Sequence, residues 1–268
     1  MRIIVPIKQV PETKSVKMDE KTGTVIREGV ESIINPLDLY AIELAVRLKE
    51  QCGATTVALT MGPPKAEEAL REALAMGLDE AIFVTDRAFA GSDTWATAYV
   101  LAEAVRQSGP FDLIICGERA TDGDTGQVGP EMAAYLDLPT ATYVNHCREV
   151  GDGEGRVGRL IEDGTEWLTL KLPALLTVVK EVSDPRLPTL RGKQRARQAP
   201  IPRLGMAELK LNPDWLGLKG SPTRVAKIFR PKVARQCEKI PAQDEAQIPE
   251  AVGRLADFLK KKNVLAGS

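Results

Sequence analysis

Five short aliphatic runs, separated by helix-length amphipathic segments, constrain this chain more than any other feature. They fall at 2–7, 55–60, 81–85, 113–116 and 174–179. Unbroken aliphatic runs of this length are what strands covered on both faces look like. Between the early runs, Ala41, Leu44, Ala45 and Leu48 recur on one helical face after Pro36, a residue suited to a first helical turn. Ala66, Leu70, Ala73 and Leu74 do the same before Gly77, a natural helix stop. Trp95, Ala98, Ala102 and Val105 mark a third helix. Alternation at this spacing predicts right-handed crossovers and a parallel α/β sheet.

The core of such a sheet must come from small aliphatic side chains, because hydrophobic residues make up 43% of the 268 residues and aromatics only 4%. A net charge of −1 excludes a surface built throughout to grip nucleic acid. The opening run is too short and too soon interrupted for a signal peptide, and no window reaches the roughly 18 apolar residues of a membrane helix. Four scattered cysteines (Cys52, Cys116, Cys147, Cys237) and a single histidine cannot assemble a zinc site or a four-cysteine cluster within one chain. Reduced thiols in a cytoplasmic protein are the expectation.

The rhythm changes near residue 146. Segments 144–150 and 156–172 read as two antiparallel strands joined by the glycine-rich turn Gly151-Asp152-Gly153-Glu154-Gly155. Beyond Arg203 the sequence is punctuated by proline, and a piece of about 65 residues is marginal on its own. The expected organisation is an α/β domain over 1–203 and a C-terminal arm over 204–268 that lies on another surface.

In an open parallel sheet, ligands bind where strands end and helices begin, because unpaired backbone N–H groups and the helix dipole point there. Four such junctions carry unusual residues. They are Asn35-Pro36-Leu37-Asp38, Thr60-Met61-Gly62-Pro63-Pro64, Asp86 with Gly91-Ser92-Asp93-Thr94, and the segment from Gly117 to Gly129. The last is the richest: glycines among small hydroxyl and acidic residues let a backbone approach a ligand closely. A helix over 127–136 would then offer its N-terminal amides to a phosphate. Gly-Asp-Thr before a helix is equally a good N-cap, so this loop alone leaves both readings open. Neither G-x-G-x-x-G nor the P-loop pattern is present.

Catalytic constellations are scarce. His146, at the start of the antiparallel region, suits a structural role, and no G-x-S-x-G elbow occurs. The residues look built to hold a cofactor and not to transform a substrate. A second feature is basic: from Arg186 to Arg203 there are six positive residues and no negative one. A solvated loop is the plain reading. Leu187 and Leu190 beside those charges, with Pro185 and Pro188 stiffening the chain, equally suit a protein-docking loop.

Nine blocks, in order, resemble the β subunit of the electron-transfer flavoproteins. They are Ile4-Val5-Pro6-Ile7-Lys8-Gln9-Val10-Pro11, Asn35-Pro36-Leu37-Asp38, Met61-Gly62-Pro63-Pro64, Ala73-Leu74-Ala75-Met76-Gly77 and Asp122-Gly123-Asp124-Thr125-Gly126-Gln127-Val128-Gly129-Pro130. Lys171-Leu172-Pro173-Ala174, Pro185-Arg186, Leu190-Arg191-Gly192-Lys193 and Gly220-Ser221-Pro222-Thr223 continue the match. Each block alone is weak, and together they cover nearly the whole chain.

The resemblance implies an adenine nucleotide α-hydrolase-like core, an arm that wraps an FAD-carrying α subunit, and electron transfer between flavoprotein dehydrogenases, such as an acyl-CoA dehydrogenase, and an acceptor. The nucleotide of this subunit is AMP in the housekeeping branch. In the bifurcating branch it is a second FAD that takes a hydride from NADH. The Asp122–Pro130 block, Thr85-Asp86-Arg87-Ala88-Phe89 and Gly91-Ser92-Asp93-Thr94 are similar to the bifurcating branch, which favours FAD over AMP here. Glu118-Arg119 departs from the family, which usually has a basic residue followed by Gln there.

Carried over residue by residue, the resemblance places Pro6, Asn35, Leu37 and Asp38 on the adenosine side, with Thr60 and Met61 beside the ligand. Gly117, Thr121, Gly123, Asp124, Thr125, Gly126, Gln127 and Val128 would wrap the phosphates, the amides of 123–127 being the main donors. Asp93 and Thr94 would reach a flavin. Leu190 would dock the partner dehydrogenase, with Arg191, Lys193, Arg195 and Arg197 around it. An ATP-using enzyme on a related fold is the rival, but Lys8-Gln9-Val10-Pro11-Glu12 after the first strand has no glycine to cradle phosphates.

Overall fold

The computed structural model describes residues 1–12, 17–18, 25–26, 31–151, 153–226, 239–240, 242–262 and 264. The chain divides into two compact units, 1–228 and 229–268. The first opens with β1 (Arg2–Pro6), the short strands β2 (Gln9–Pro11), β3 (Lys17–Met18), β4 (Val25–Ile26) and β5 (Ser32–Ile34), and helix α1 (Asp38–Cys52). There follow β6 (Thr55–Met61), α2 (Glu67–Met76), β7 (Glu80–Val84), α3 (Thr94–Gln107), β8 (Leu113–Gly117) and α4 (Val128–Leu136). Next come β9 (Thr140–Gly151), β10 (Glu154–Ile161), β11 (Gly164–Lys171) and β12 (Ala174–Val178). Helix α5 (Leu190–Gln198), β13 (Arg203–Leu204), and the single turns α6 (Met206–Leu209) and α7 (Gly217–Gly220) complete the unit.

Nine strands form one sheet in the order β11-β10-β9-β12-β8-β1-β6-β7-β13. The five runs predicted as strands are all in it, and every pairing from β9 to β13 is parallel. From β1 the chain steps outward through β6 and β7, then returns to β8 on the other side. This reversal between β1 and β8 leaves a crevice at the strand ends, because the helices on either side of it run to opposite faces of the sheet.

The strand period of two divides the core. Ile3 and Val5 of β1 pack with Ile42 and Ala45 of α1 and Leu70 and Ala73 of α2. Ile4 packs on the opposite face with Ala98, Val100 and Val105 of α3 and Met132 of α4. Apart from Phe83, Phe89 and Tyr99, the buried side chains of this core are aliphatic or small. Gly77 ends α2 as expected, with φ at 135°.

Three expectations need correction. Segment 156–172 is two strands, not one, because the chain reverses at Glu162-Asp163; β10 pairs with both β9 and β11, making a three-stranded meander. The basic stretch is not a loop throughout, since 190–198 is helical, capped by the Thr189 hydroxyl, which accepts the Gly192 amide at 2.9 Å. The boundary expected at 203/204 lies inside the first unit. Residues 203–204 pair with β7, and Leu209, Leu211 and Leu216 are buried against the α3 side of the core.

Helix α5 sits hard on α2. Arg71 donates to the carbonyls of Ala196 and Ala199 at 2.6 and 2.9 Å, and Arg195 to those of Leu74 and Leu78 at 2.9 Å each. Arg186 is held by Glu43 and Glu50 of α1. These bonds leave Leu187 and Leu190 projecting, 85% and 87% exposed. In the second unit, helix α8 (Ile248–Lys261) has no buried residue and exposes Val252, Leu255 and Phe258. No helix among the described residues is long and apolar enough to cross a membrane.

The α5–α2 contact rests on Gly192, where an added Cβ would lie 2.2 Å from the Ala75 carbonyl oxygen. Gly192→Ala is expected to destabilise the chain by about 1–3 kcal/mol, the range for overpacking, although alanine is the better helix former. Gly253→Ala in α8, with nothing within 4 Å, is the control and should not destabilise. Chemical denaturation of both variants checks this, and an unchanged midpoint for Gly192→Ala would contradict the close contact.

Candidate functional site

A cavity of about 930 Å³ opens at the carboxyl ends of β1, β6, β7 and β8. All four junctions singled out in the sequence meet there. Asp38 comes from the first, Met61 to Pro64 from the second, Asp86 and 91–94 from the third, and Gly117 to Ala120 with 123–129 from the fourth, joined by Pro6 and Lys8 at the end of β1. Of the sixteen expected ligand residues, twelve stand on the wall: Pro6, Asp38, Met61, Asp93, Thr94, Gly117, Gly123, Asp124, Thr125, Gly126, Gln127 and Val128.

The other four, Asn35, Leu37, Thr60 and Thr121, are not among the lining residues, and three of them visibly hold the wall in place. The Thr60 hydroxyl donates to the Ile7 carbonyl at 2.7 Å, tying the end of β1 to β6. Asn35, wholly buried, donates from Nδ2 to the Arg119 carbonyl at 2.8 Å and to Asp38 Oδ1 at 2.9 Å. Its Oδ1 accepts the Thr121 amide at 3.1 Å. One side chain therefore clips both sides of the 119–121 segment to the start of α1.

Asp38 completes the clip. Its Oδ2 accepts the Lys8 amide at 2.7 Å, so the buried carboxyl ties the end of β1 to α1 and, through Asn35, to the loop after β8. Burial pushes that carboxyl up to about 7, against the opposing hydrogen bonds from Asn35 and Lys8. Gly117 makes the approach possible, because a Cβ there would lie 2.4 Å from Asp38 Oδ1.

The loop beyond is shaped by left-handed residues, Asp124 at φ 55° and Gly126 at φ 64°. The Asp124 amide donates to the Ala120 carbonyl at 2.8 Å, so it is spent within the loop and is not one of the expected phosphate donors. Among the described residues, the amides of Gly123, Thr125, Gly126 and Gln127 have no protein acceptor, which leaves them to serve an anion at the start of α4. Arg119 pairs with Asp124 at 3.0 Å and Lys8 with Asp122 at 2.7 Å, fastening the loop across its mouth. Glu118, the departure from the family pattern, is largely covered and lies 3.7 Å from Arg119.

At the far end, Asp93 caps α3 by accepting the Ala96 amide at 3.1 Å. Its other oxygen accepts the Thr223 amide and hydroxyl at 2.9 and 2.7 Å. Burial pushes this carboxyl up, but those hydrogen bonds outweigh it and hold it below the usual range. Arg87 and Phe89 also line this end, and neither was singled out as a ligand residue. Their sequence signals are their place just after a strand end and their membership of the Thr85–Phe89 block.

Other candidates lie elsewhere. His146 sits on the outer face of the meander, 5.6 Å from the Trp167 ring, which Arg148 also covers at 4.9 Å. The segment after β1 pairs as strand β2 with β5 and forms no phosphate loop. Cys52, Cys116 and Cys147 are free thiols, Cys237 lies outside the described residues, and no cluster of metal-ligating side chains occurs among the described residues.

Residues 22–209 match the family described as "Electron transfer flavoprotein domain". A relative from Thermoanaerobacterium thermosaccharolyticum, described as "Electron transfer flavoprotein subunit beta", is 46% identical over 99% of this chain and 100% of its own length. "Caffeyl-CoA reductase-Etf complex subunit CarD" from Acetobacterium woodii is 44% identical over the same shares. "Protein FixA" from Azotobacter vinelandii is 41% identical over 91% of this chain and 89% of its own.

The clip yields a direct test. Asn35→Ala removes an acceptor from the Thr121 amide and a donor from the Arg119 carbonyl. Hydrogen exchange at Thr121 should accelerate roughly tenfold, the worth of one such bond. Unchanged exchange across 118–122 would mean that something else holds the loop.

Proposed function

The chain belongs to the electron transfer flavoprotein family, and from that premise we propose that it is a β subunit that holds an FAD of its own and passes electrons within a heterodimer. The observation that carries this reading is the reach of the cavity. Its lining takes in Asp38 and Gly117 beside β1 and β8 as well as Arg87, Asp93 and Thr94 between β7 and α3, across the ends of four strands. A single nucleotide such as AMP would use the first group only, whereas an extended dinucleotide uses both.

The residues fit the group. Gly117 and Gly126 let the backbone approach, and the unpaired amides of 123 and 125–127 suit a pyrophosphate. Met61, Phe89 and Leu101 give the far end an apolar wall suited to a flat ring. A bound flavin supplies the chemistry that the side chains lack, taking two electrons together as a hydride and releasing them one at a time. The chain's own residues orient it and keep the phosphate loop closed. NADH is the hydride donor in this proposal.

The partners follow from exposed apolar surface. Leu187 and Leu190, on a segment pinned at Arg186 and Arg195, present a rigid apolar anchor to a dehydrogenase such as an acyl-CoA dehydrogenase. The side chains of Arg191, Lys193 and Arg197 have no partner among the described residues and surround it with positive charge. Helix α8, with its exposed apolar face, belongs to an arm that packs on the FAD-carrying α subunit. The Acetobacterium woodii relative, described as a subunit of a caffeyl-CoA reductase–Etf complex, supports that assembly.

Two variants of the cytoplasmic heterodimer separate the two surfaces. Asp124→Ala with Thr125→Ala removes the Arg119 clamp and a left-handed turn residue, and should release this subunit's flavin during gel filtration. Leu190→Ala should keep the flavin and slow electron transfer to the dehydrogenase roughly tenfold or more. Full flavin retention by the first variant, or unchanged transfer by the second, would remove the corresponding assignment.

A further inference from the structure

Thr94 stands on the cavity wall at the start of α3. Its hydroxyl has one hydrogen and two acceptors in reach, Glu131 Oε1 at 3.1 Å and Gln127 Oε1 at 3.3 Å. A carboxylate is the stronger acceptor, so the hydrogen goes to Glu131. The Gln127 amide can then rotate to present Nε2 to Thr94, since its two ends are equivalent in shape. Thr94 Oγ1 is left with lone pairs only for whatever lies in the cavity.

Glu131 itself is not on the wall. It lies in the first turn of α4, with Oε2 buried and without a partner among the described residues. The hydroxyl of Tyr135, one turn further on, is buried and unpartnered in the same way. Asp93 and Tyr99 from α3 and Tyr135 on its own helix are the titratable groups around this cluster. The strands beneath α4, β9 and β12, bring no charge to Glu131 among the described residues. Burial, with Asp93 adding to it and Thr94 opposing, pushes the Glu131 carboxyl above its usual range.

Resting on the FAD reading above, we propose that Glu131 is a positioning residue that, through Thr94, fixes a hydrogen-bond acceptor for a ring N–H of the isoalloxazine. While Glu131 is ionised, Thr94 can only accept from the ligand. Once Glu131 takes up a proton it becomes a donor itself, Thr94 is free to turn its own hydrogen toward the ring, and the contact loses its fixed polarity. The environment of the flavin in this subunit is thereby linked to a proton held outside the cavity.

The test uses the purified heterodimer as wild type, Glu131→Gln, Glu131→Leu, Thr94→Val and the Glu131→Leu/Thr94→Val double variant. FAD retention is measured along with the absorption spectrum and midpoint potential of this subunit's flavin across pH. Thr94→Val and Glu131→Leu should each weaken retention roughly tenfold, and the double variant no further, because both break one chain of contacts. Glu131→Gln, which keeps the shape, should retain FAD and lose the pH-dependent step in spectrum and potential. Wild-type retention and an unchanged pH profile in these variants would overturn the role of Glu131 alone. AMP in the wild-type site would overturn the FAD reading and this inference with it.

Discussion

A buried amide and a buried carboxyl hold the site together. Asn35 and Asp38 stand at the start of α1 and reach both the segment after β1, through the Lys8 amide, and the loop after β8, through the Arg119 carbonyl and Thr121 amide. Both groups are removed from water, where an unsatisfied polar atom is costly. Each is therefore committed to its partners, and the three chain segments are held together. The crevice that the strand order creates would otherwise be bounded by independent loops. Gly117 is the steric condition for this arrangement, since any side chain there would occupy the place of Asp38 Oδ1.

The basic segment around Leu190 follows a similar logic, fastened to α1 and α2. Basic residues near Leu190 divide into two groups by what they touch. Arg186 and Arg195 bind carboxylates and carbonyls of α1 and α2 and make the segment rigid. Among the described residues, the side chains of Arg191, Lys193 and Arg197 have no partner. A leucine displayed on such a support loses little conformational freedom on docking, which favours association. The cavity and the exposed leucine segment thus sit on one scaffold without sharing residues.

The sheet, and the four junctions that meet at the cavity, were legible because parallel strands read as aliphatic runs and the crevice end of such a sheet is fixed by topology. Less was legible where tertiary contact overrides local signal. Helix 190–198 buries little more than Ala196 and approaches α2 through Gly192, so its basic sequence carries no apolar face to recognise. The reversal at Glu162-Asp163 does carry a signal, the Asp163-Gly164 pair, which stands close behind the more conspicuous glycine-rich turn at 151–155. Strand β13 is two residues long, too short to move the expected boundary past 204. Within the site, sequence could not separate residues that line the cavity from Asn35, Thr60 and Thr121, which support it from behind. Glu131 was invisible for the same reason, acting one helical turn behind Gln127.

The central claim is that this subunit carries a flavin. The most direct measurement is to denature the purified heterodimer and count the FAD and AMP released per complex. The account predicts two FAD and no AMP. One FAD and one AMP would contradict it, leaving this chain a docking platform around a structural nucleotide.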